Sequence, residues 1–180
     1  MGKIIDVLAR QHEKQMLYHW YESYWMIDIH GVICHPNYDL DKLELNFVNK
    51  FACTCLQMLT LRDDTRLILY TSSYPDQILE YLKILEGHHI KFDYINENPE
   101  VRSYEDFGYY ENKPYFDIYL DDKAGFHPNE WLDIIQFLSC NSAPNPEWKN
   151  PNRKRLTPAE ISARRRRVKS NVSEQIIEGK

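Results

Sequence analysis

The chain has 180 residues, 43% of them hydrophobic, which suits one domain of ordinary size with appendages and a core that needs no staples. No apolar run approaches the roughly 20 residues that span a bilayer, and the N-terminus lacks the basic-then-apolar order of a secretion signal, so a soluble, cytoplasmic protein is expected. The net charge of −5 is divided: residues 1–146 hold 12 basic and 23 acidic side chains (net −11) and residues 147–180 hold 10 and 4 (net +6), an acidic body with a basic tail.

In chain order, residues 3–22 carry Ile4, Val7, Leu8, Met16, Leu17 and Trp20 at loosely helical spacing, which predicts an N-terminal helical extension over 1–23. "YWMIDI" (24–29) is a strand signal, and the Pro, Asn and Asp of "CHPNYDLD" mark a turn or flap. Leu45, Val48, Ala52, Cys55, Leu56 and Leu59 recur every three or four residues, predicting an amphipathic helix from Asp41 to about Leu61. Residues 67–70 of "RLILYTSSYPDQ" form a second apolar run that ends in small hydroxyl residues. Pro75 then suits the first turn of a helix carrying Ile78, Leu79, Leu82 and Leu85 and stopped at Gly87. "IKFDYIN" is a short strand, residues 97–112 read as loop, "YFDIYLDDKAGF" closes a strand in two acids, and "HPNEWLDIIQFL" supplies a last helix. This alternation predicts an α/β domain over 24–140, a Rossmann-like parallel sheet covered on both faces, whose ligands bind beyond the carboxyl ends of the strands. The four cysteines, Cys34, Cys53, Cys55 and Cys140, contain no CxxC pair and read as free thiols rather than disulfides or a zinc site.

Three strands thus end in polar groups: Asp28, Thr71 with Ser72, and Asp121 with Asp122. Lys113 lies just upstream of the last strand. Taken singly these residues are ordinary: Asp28 could be a strand-end cap, Thr71 and Ser72 a helix cap, the acid pair a solvated turn and Lys113 a surface lysine. Together they have a chemical logic. A carboxylate can attack phosphorus to give an aspartyl-phosphate, splitting one hard hydrolysis into two easier steps. Carboxylates and a phosphate repel each other, so a hard divalent cation with oxygen ligands is needed, and Mg2+ fits. A Thr hydroxyl, backbone amides and a Lys ammonium would take up charge on the phosphoryl oxygens.

"MIDIHGVI", "LILYTSS", Lys113 in "NKPYFDIYLDD" and the acid pair resemble, in order and spacing, the haloacid dehalogenase-like superfamily, over roughly residues 24–138. The segment "KPYFDIYLDD" is similar to small capless members known only as hydrolases. The resemblance implies Asp28 as nucleophile, Thr71, Ser72 and Lys113 at the phosphate, and Mg2+ held by Asp28, the carbonyl of His30 and an acid of the Asp121–Asp122 pair. One position departs from the pattern. Phosphatases of the superfamily carry a second Asp two residues after the nucleophile as general acid, and here that position is His30. His30 can itself be the acid and base, since its ordinary pKa of about 6.5 suits proton transfer near neutrality. Otherwise it marks a slower or altered reaction, or a fold that only binds.

Asp28 and Thr71 are 43 residues apart and Thr71 and Lys113 are 42 apart, spacings already used by the elements above and too short for a separate cap domain. A capless, open site suits a large or exposed phosphorylated substrate; a small nucleotidase shares the mechanism. The stretch 141–180 reads as a linker followed by a helix or tail, with Thr157 as cap and Arg164 to Arg167 as a basic run. Such a run suits nucleic-acid phosphates, or else a solvated or disordered tail that docks on its own acidic body or on a protein partner such as another subunit.

Overall fold

The computed structural model describes residues 3–37, 43–101, 104–105, 108–110 and 112–151. The expected helix start at Asp41, the Thr157 cap and the Arg164 to Arg167 run lie outside the described residues. Helix α1 (Lys3–Tyr18) leads to β1 (Ser23–Ile27), α2 (Lys50–Thr60), β2 (Thr65–Leu69), α3 (Pro75–Gly87) and β3 (Tyr94–Ile95). A short antiparallel hairpin, β4 (Tyr104–Glu105) and β5 (Gly108–Tyr109), precedes β6 (Ile118–Leu120) and α4 (Glu130–Cys140).

The four long-range strands form a parallel sheet in the order β3-β2-β1-β6. Trp25 lies in register with Leu67 and Ile118, and Ile27 with Leu69 and Leu120. Because side chains alternate along a strand, these six face one way, and Tyr24, Met26, Ile68 and Tyr94 face the other. The handedness of the crossovers then decides what covers each face. The steps β1 to β2 and β2 to β3 run in the same direction along the sheet, so right-handed connections put α2 and α3 on one face. The step β3 to β6 runs back, which puts its connection on the opposite face.

Packing follows that rule. Leu56 and Leu59 of α2, Tyr81 and Leu85 of α3, Trp131 and Ile134 of α4, and Ile4 and Leu8 of α1 share one buried core with the Trp25 face. The main-chain N–H of Ile4 also donates to Glu130 Oε1 at 3.1 Å, tying α1 to α4. On the second face no helix is found among the described residues. Val101, Tyr110, Tyr115 and Phe116 from the β3–β6 connection cover Tyr24, Met26 and Ile68 instead. This aromatic layer surrounds a buried ion pair, Arg66 Nε to Glu100 Oε1 at 2.8 Å, with side chains 2% and 0% exposed. Tyr24 and Tyr94 hydroxyls donate to the same carboxylate, and Arg66 also donates to the Asp63 carbonyl. The charges are thus fully paired, as burial demands.

Helix α2 begins later than the apolar spacing predicts. Residues 43–49 are not helical. Asn49 caps the helix, its Oδ1 accepting from the N–H groups of Phe51 and Ala52 at 3.0 Å each. The segment before it folds back on the turn after β1: His35 N–H donates to the Asn46 carbonyl and Val48 N–H to that of Ile33. Leu45 and Val48 still pack on the core, so their spacing imitates a helix face while the backbone bonds of Asn46 and Val48 go to residues 35 and 33. Among the described residues, the β1–β2 interval holds only this flap and α2, and the β2–β6 interval holds α3, β3 and the hairpin, with no cap domain. Nor is any described helix long and apolar enough to cross a membrane. The chain is an α/β protein with a Rossmann-like parallel sheet flanked by helices.

Candidate functional site

From β1 the chain goes to β2 and β3 on one side and returns to β6 on the other, so the topological switch point lies between β1 and β6. Ligand crevices in open α/β sheets form there, beyond the carboxyl ends of the strands. Asp28 follows β1 directly, its N–H donating to the Leu120 carbonyl at 2.9 Å, and Asp121 and Asp122 follow β6. One carboxylate oxygen from each of these three residues lies within 4.8 Å of the others.

The turn that carries Asp28 and His30 is built on apolar anchors. Ile29, Val32 and Ile33 are buried, Ile33 and Cys34 N–H groups both donate to the Ile29 carbonyl at 3.0 Å, and Trp131 Nε1 donates to the Val32 carbonyl at 2.8 Å. Gly31 sits at φ +78°, where a side chain is strained, and a Cβ there would lie 2.6 Å from Asp122 Oδ2. The glycine therefore lets the β1 turn and the β6 turn close on each other.

The two acids after β6 differ in their bonding. Asp121 Oδ1 accepts from the main-chain N–H groups of Lys123 (2.7 Å) and Ala124 (3.3 Å), and its Oδ2 accepts from the Tyr119 hydroxyl. Asp122 is exposed, and its carboxylate takes no hydrogen bond from a described residue. Asp121 thus braces the turn, and Asp122 presents its oxygens to the crevice. Burial pushes the half-buried Asp28 carboxyl up to about 6; a main-chain bond at Ile29 opposes this, and the Asp121 and Asp122 charges add to it. Lys123 is the cation among the strongest influences on Asp28.

Around this centre stand the other residues expected from the sequence. His30 Nε2 lies 3.0 Å from the Tyr81 hydroxyl, and burial holds its pKa below the ordinary value, with Asp122 opposing. Thr71 follows β2, where its N–H donates to Asn96 Oδ1 (2.8 Å) and its carbonyl accepts from Asn96 Nδ2 (2.9 Å). Thr71 Oγ1 is 3.0 Å from Ser73 Oγ and accepts from Ser73 N–H, whereas Ser72 is exposed. Neither Thr71 nor Ser72 caps α3, which is entered from Tyr74. Lys113 is exposed, its ammonium 5.9 Å from the centre of the Phe116 ring. The structure therefore gathers Asp28, Asp121 and Asp122 into one cluster and sets His30 on the same turn as Asp28.

Sequence reasoning passed over Gly31, Tyr81, Asn96 and Lys123. Asn96 had a local signal, since Asn after a strand tolerates the left-handed φ of 55° found there. Tyr81 had none, because on an apolar stripe between Ile78 and Leu85 it reads as core.

No protein-family model matches the chain, and no curated protein matches it. Among solved structures, a conserved protein from Bacteroides thetaiotaomicron is similar in fold, with a TM-score of 0.50 and 19% identity over 67% of this chain and 93% of that one.

Proposed function

We propose that this chain is a Mg2+-dependent phosphohydrolase of the haloacid dehalogenase-like kind, acting through an aspartyl-phosphate. The observation that supports it best is the meeting of Asp28, Asp121 and Asp122 oxygens within 4.8 Å at the switch point of a parallel sheet. The donor set fits a hard divalent cation: all three are carboxylates, and the charges of Asp121 and Asp122 work against ionised Asp28 until something positive offsets them. Asp28 and Asp122 would hold the ion with the His30 carbonyl, while Asp121, already bonded to Tyr119 and two amides, orients the turn. When bound, the ion offsets the negative charge that a phosphate would otherwise meet.

In this reading Asp28 attacks the phosphorus and His30 protonates the departing oxygen. His30 then takes a proton from the water that hydrolyses the aspartyl-phosphate. Thr71, Ser72 and Lys113 stabilise the phosphoryl oxygens, and Lys123 adds a second cation. The capless edge suits a large or exposed phosphorylated substrate. His30, standing where a carboxylic acid is usual, favours a second reading: a weakly catalytic module that binds nucleic acid or a protein partner through residues 147–180.

The test is phosphate release from p-nitrophenyl phosphate, with and without Mg2+, by wild type, Asp28→Asn and His30→Asp. Metal-dependent turnover that disappears in Asp28→Asn is expected. Silence in all three, with salt-sensitive RNA binding lost on deleting residues 147–180, would replace the first reading by the second.

A further inference from the structure

Tyr81 has no place in the mechanism above, yet it touches the mechanism's least usual residue. It lies on α3 between Ile78 and Leu85, on the face turned to the core, and is 0% exposed. A phenylalanine would fill that space equally well, so packing does not account for the hydroxyl. A buried hydroxyl needs a partner, and this one has His30 Nε2 at 3.0 Å, with the two rings edge to face at 5.5 Å. The helix therefore grips the imidazole both by its ring and by one nitrogen. The backbone of His30 is fixed as well, through its bridge to Cys34 and the buried Ile29 before it.

Resting on the phosphatase reading, we propose that Tyr81 is a positioning residue that anchors His30 through Nε2, so that Nδ1 exchanges the proton, and that this fits the site to alkyl phosphate monoesters. With Nδ1 exchanging the proton, Nε2 keeps its own hydrogen throughout, so it donates to the Tyr81 oxygen both in the imidazolium and in the neutral ring. In the first step an Asp28 oxygen bonds to phosphorus, the ester P–O bond breaks, and the electron pair left on the alkoxide oxygen takes the Nδ1 proton. In the second, water gives a proton back to Nδ1 while its oxygen attacks phosphorus and the bond to Asp28 breaks, restoring the carboxylate and releasing phosphate. An alkoxide is a poor leaving group and needs that proton, whereas a nitrophenolate leaves without it. Anchoring the acid therefore matters for alkyl esters and little for activated aryl esters.

The experiment compares kcat and KM for glycerol 2-phosphate and p-nitrophenyl phosphate, with Mg2+, in wild type, Tyr81→Phe, His30→Ala and the double variant. Tyr81→Phe is expected to lose about tenfold in kcat on the alkyl ester, a fraction of what a general acid contributes. KM should hold, the aryl ester should change less than about twofold, and no further loss should appear in the His30→Ala background. Equal losses on both esters, or a loss that repeats without His30, would make Tyr81 structural and overturn the proposal. Imidazole 15N spectra of wild type test the anchor without any variant: a hydrogen-bonded Nε2 is expected, and a water-like one overturns it. A wild type silent on both esters sinks the phosphatase reading and this proposal with it; activity without the leaving-group dependence sinks this proposal alone.

Discussion

Asp28→Asn is expected to make the metal-free protein more stable while abolishing turnover. The carboxyl is held up to about 6 from 3.8, mainly by burial, with Asp121 and Asp122 contributing. Its charged form is thus disfavoured by the fold. A rise of about two units corresponds to roughly 3 kcal/mol at 1.36 kcal/mol per unit, and solvent screening at a half-buried site reduces this to roughly 1–2 kcal/mol. The folded state holds the Asp28 proton at pH values where the unfolded state has lost it. Stability therefore falls as pH rises from about 4 to about 6, through this group, and is flat above. Replacing Asp28 by neutral Asn removes the penalty at pH 7, which for a chain of this size raises Tm by about 3–6 °C. Thermal unfolding followed by circular dichroism in chelator, at pH 5 and pH 7, reads both effects: the variant gains at pH 7 and about half as much at pH 5. Mg2+ at ten times its Kd should lift wild type by about 1.4 kcal/mol and leave Asp28→Asn nearly unmoved. A variant less stable than wild type at pH 7 in chelator would refute the charge-crowding argument.

Gly31→Ala should abolish Mg2+-induced stabilisation, because the new Cβ would meet Asp122 Oδ2 at 2.6 Å on a backbone of φ +78°; the strain alone costs about 1–2 kcal/mol, and isothermal titration with Mg2+ checks the binding. Glu100→Gln leaves the Arg66 guanidinium buried without its counter-charge, and urea unfolding should register a loss of about 3–5 kcal/mol. Asn49→Ala removes a side chain that accepts two helix N–H groups, for an expected loss of about 1 kcal/mol in the same assay with the Mg2+ response unchanged.

The sheet was legible because its information is local. "YWMIDI" and "LILYTSS" are apolar runs that stop abruptly, and a run that stops at a polar group marks both a strand and its carboxyl end. Asp28, Thr71 and the acid pair followed from that alone. What escaped depended on partners distant in sequence. Helix α2 starts later than the apolar spacing predicts because Leu45 and Val48 keep helical spacing while Asn46 and Val48 bond to His35 and Ile33. That Asp121 rather than Asp122 is tied down by hydrogen bonds depends on the Tyr119 hydroxyl and on two amides of the following turn, which no spacing rule carries. The grip of Tyr81 on His30 spans 51 residues and crosses from a strand end to a helix.

The asymmetry between the two faces explains why the edge can be both open and precise. Every helix among α1 to α4 sends buried residues into the core on the Trp25 face, and from there Trp131 and Tyr81 reach up to hold the Val32 carbonyl and the His30 ring. The turn bearing Asp28 is thus fixed from below by the dense layer. The opposite face is covered by Tyr110, Tyr115 and Phe116, and this cover continues through Tyr119 to Asp121 and through edge contact with Tyr70 beside Thr71. Aromatic side chains from a connection, rather than a further helix, form that wall. Because the backward step from β3 to β6 sends its connection to this face, the acids of β6 come to lie against those of β1 at the one gap where successive connections part to opposite sides. The strand order, more than any single residue, is what brings Asp28 and Asp122 together.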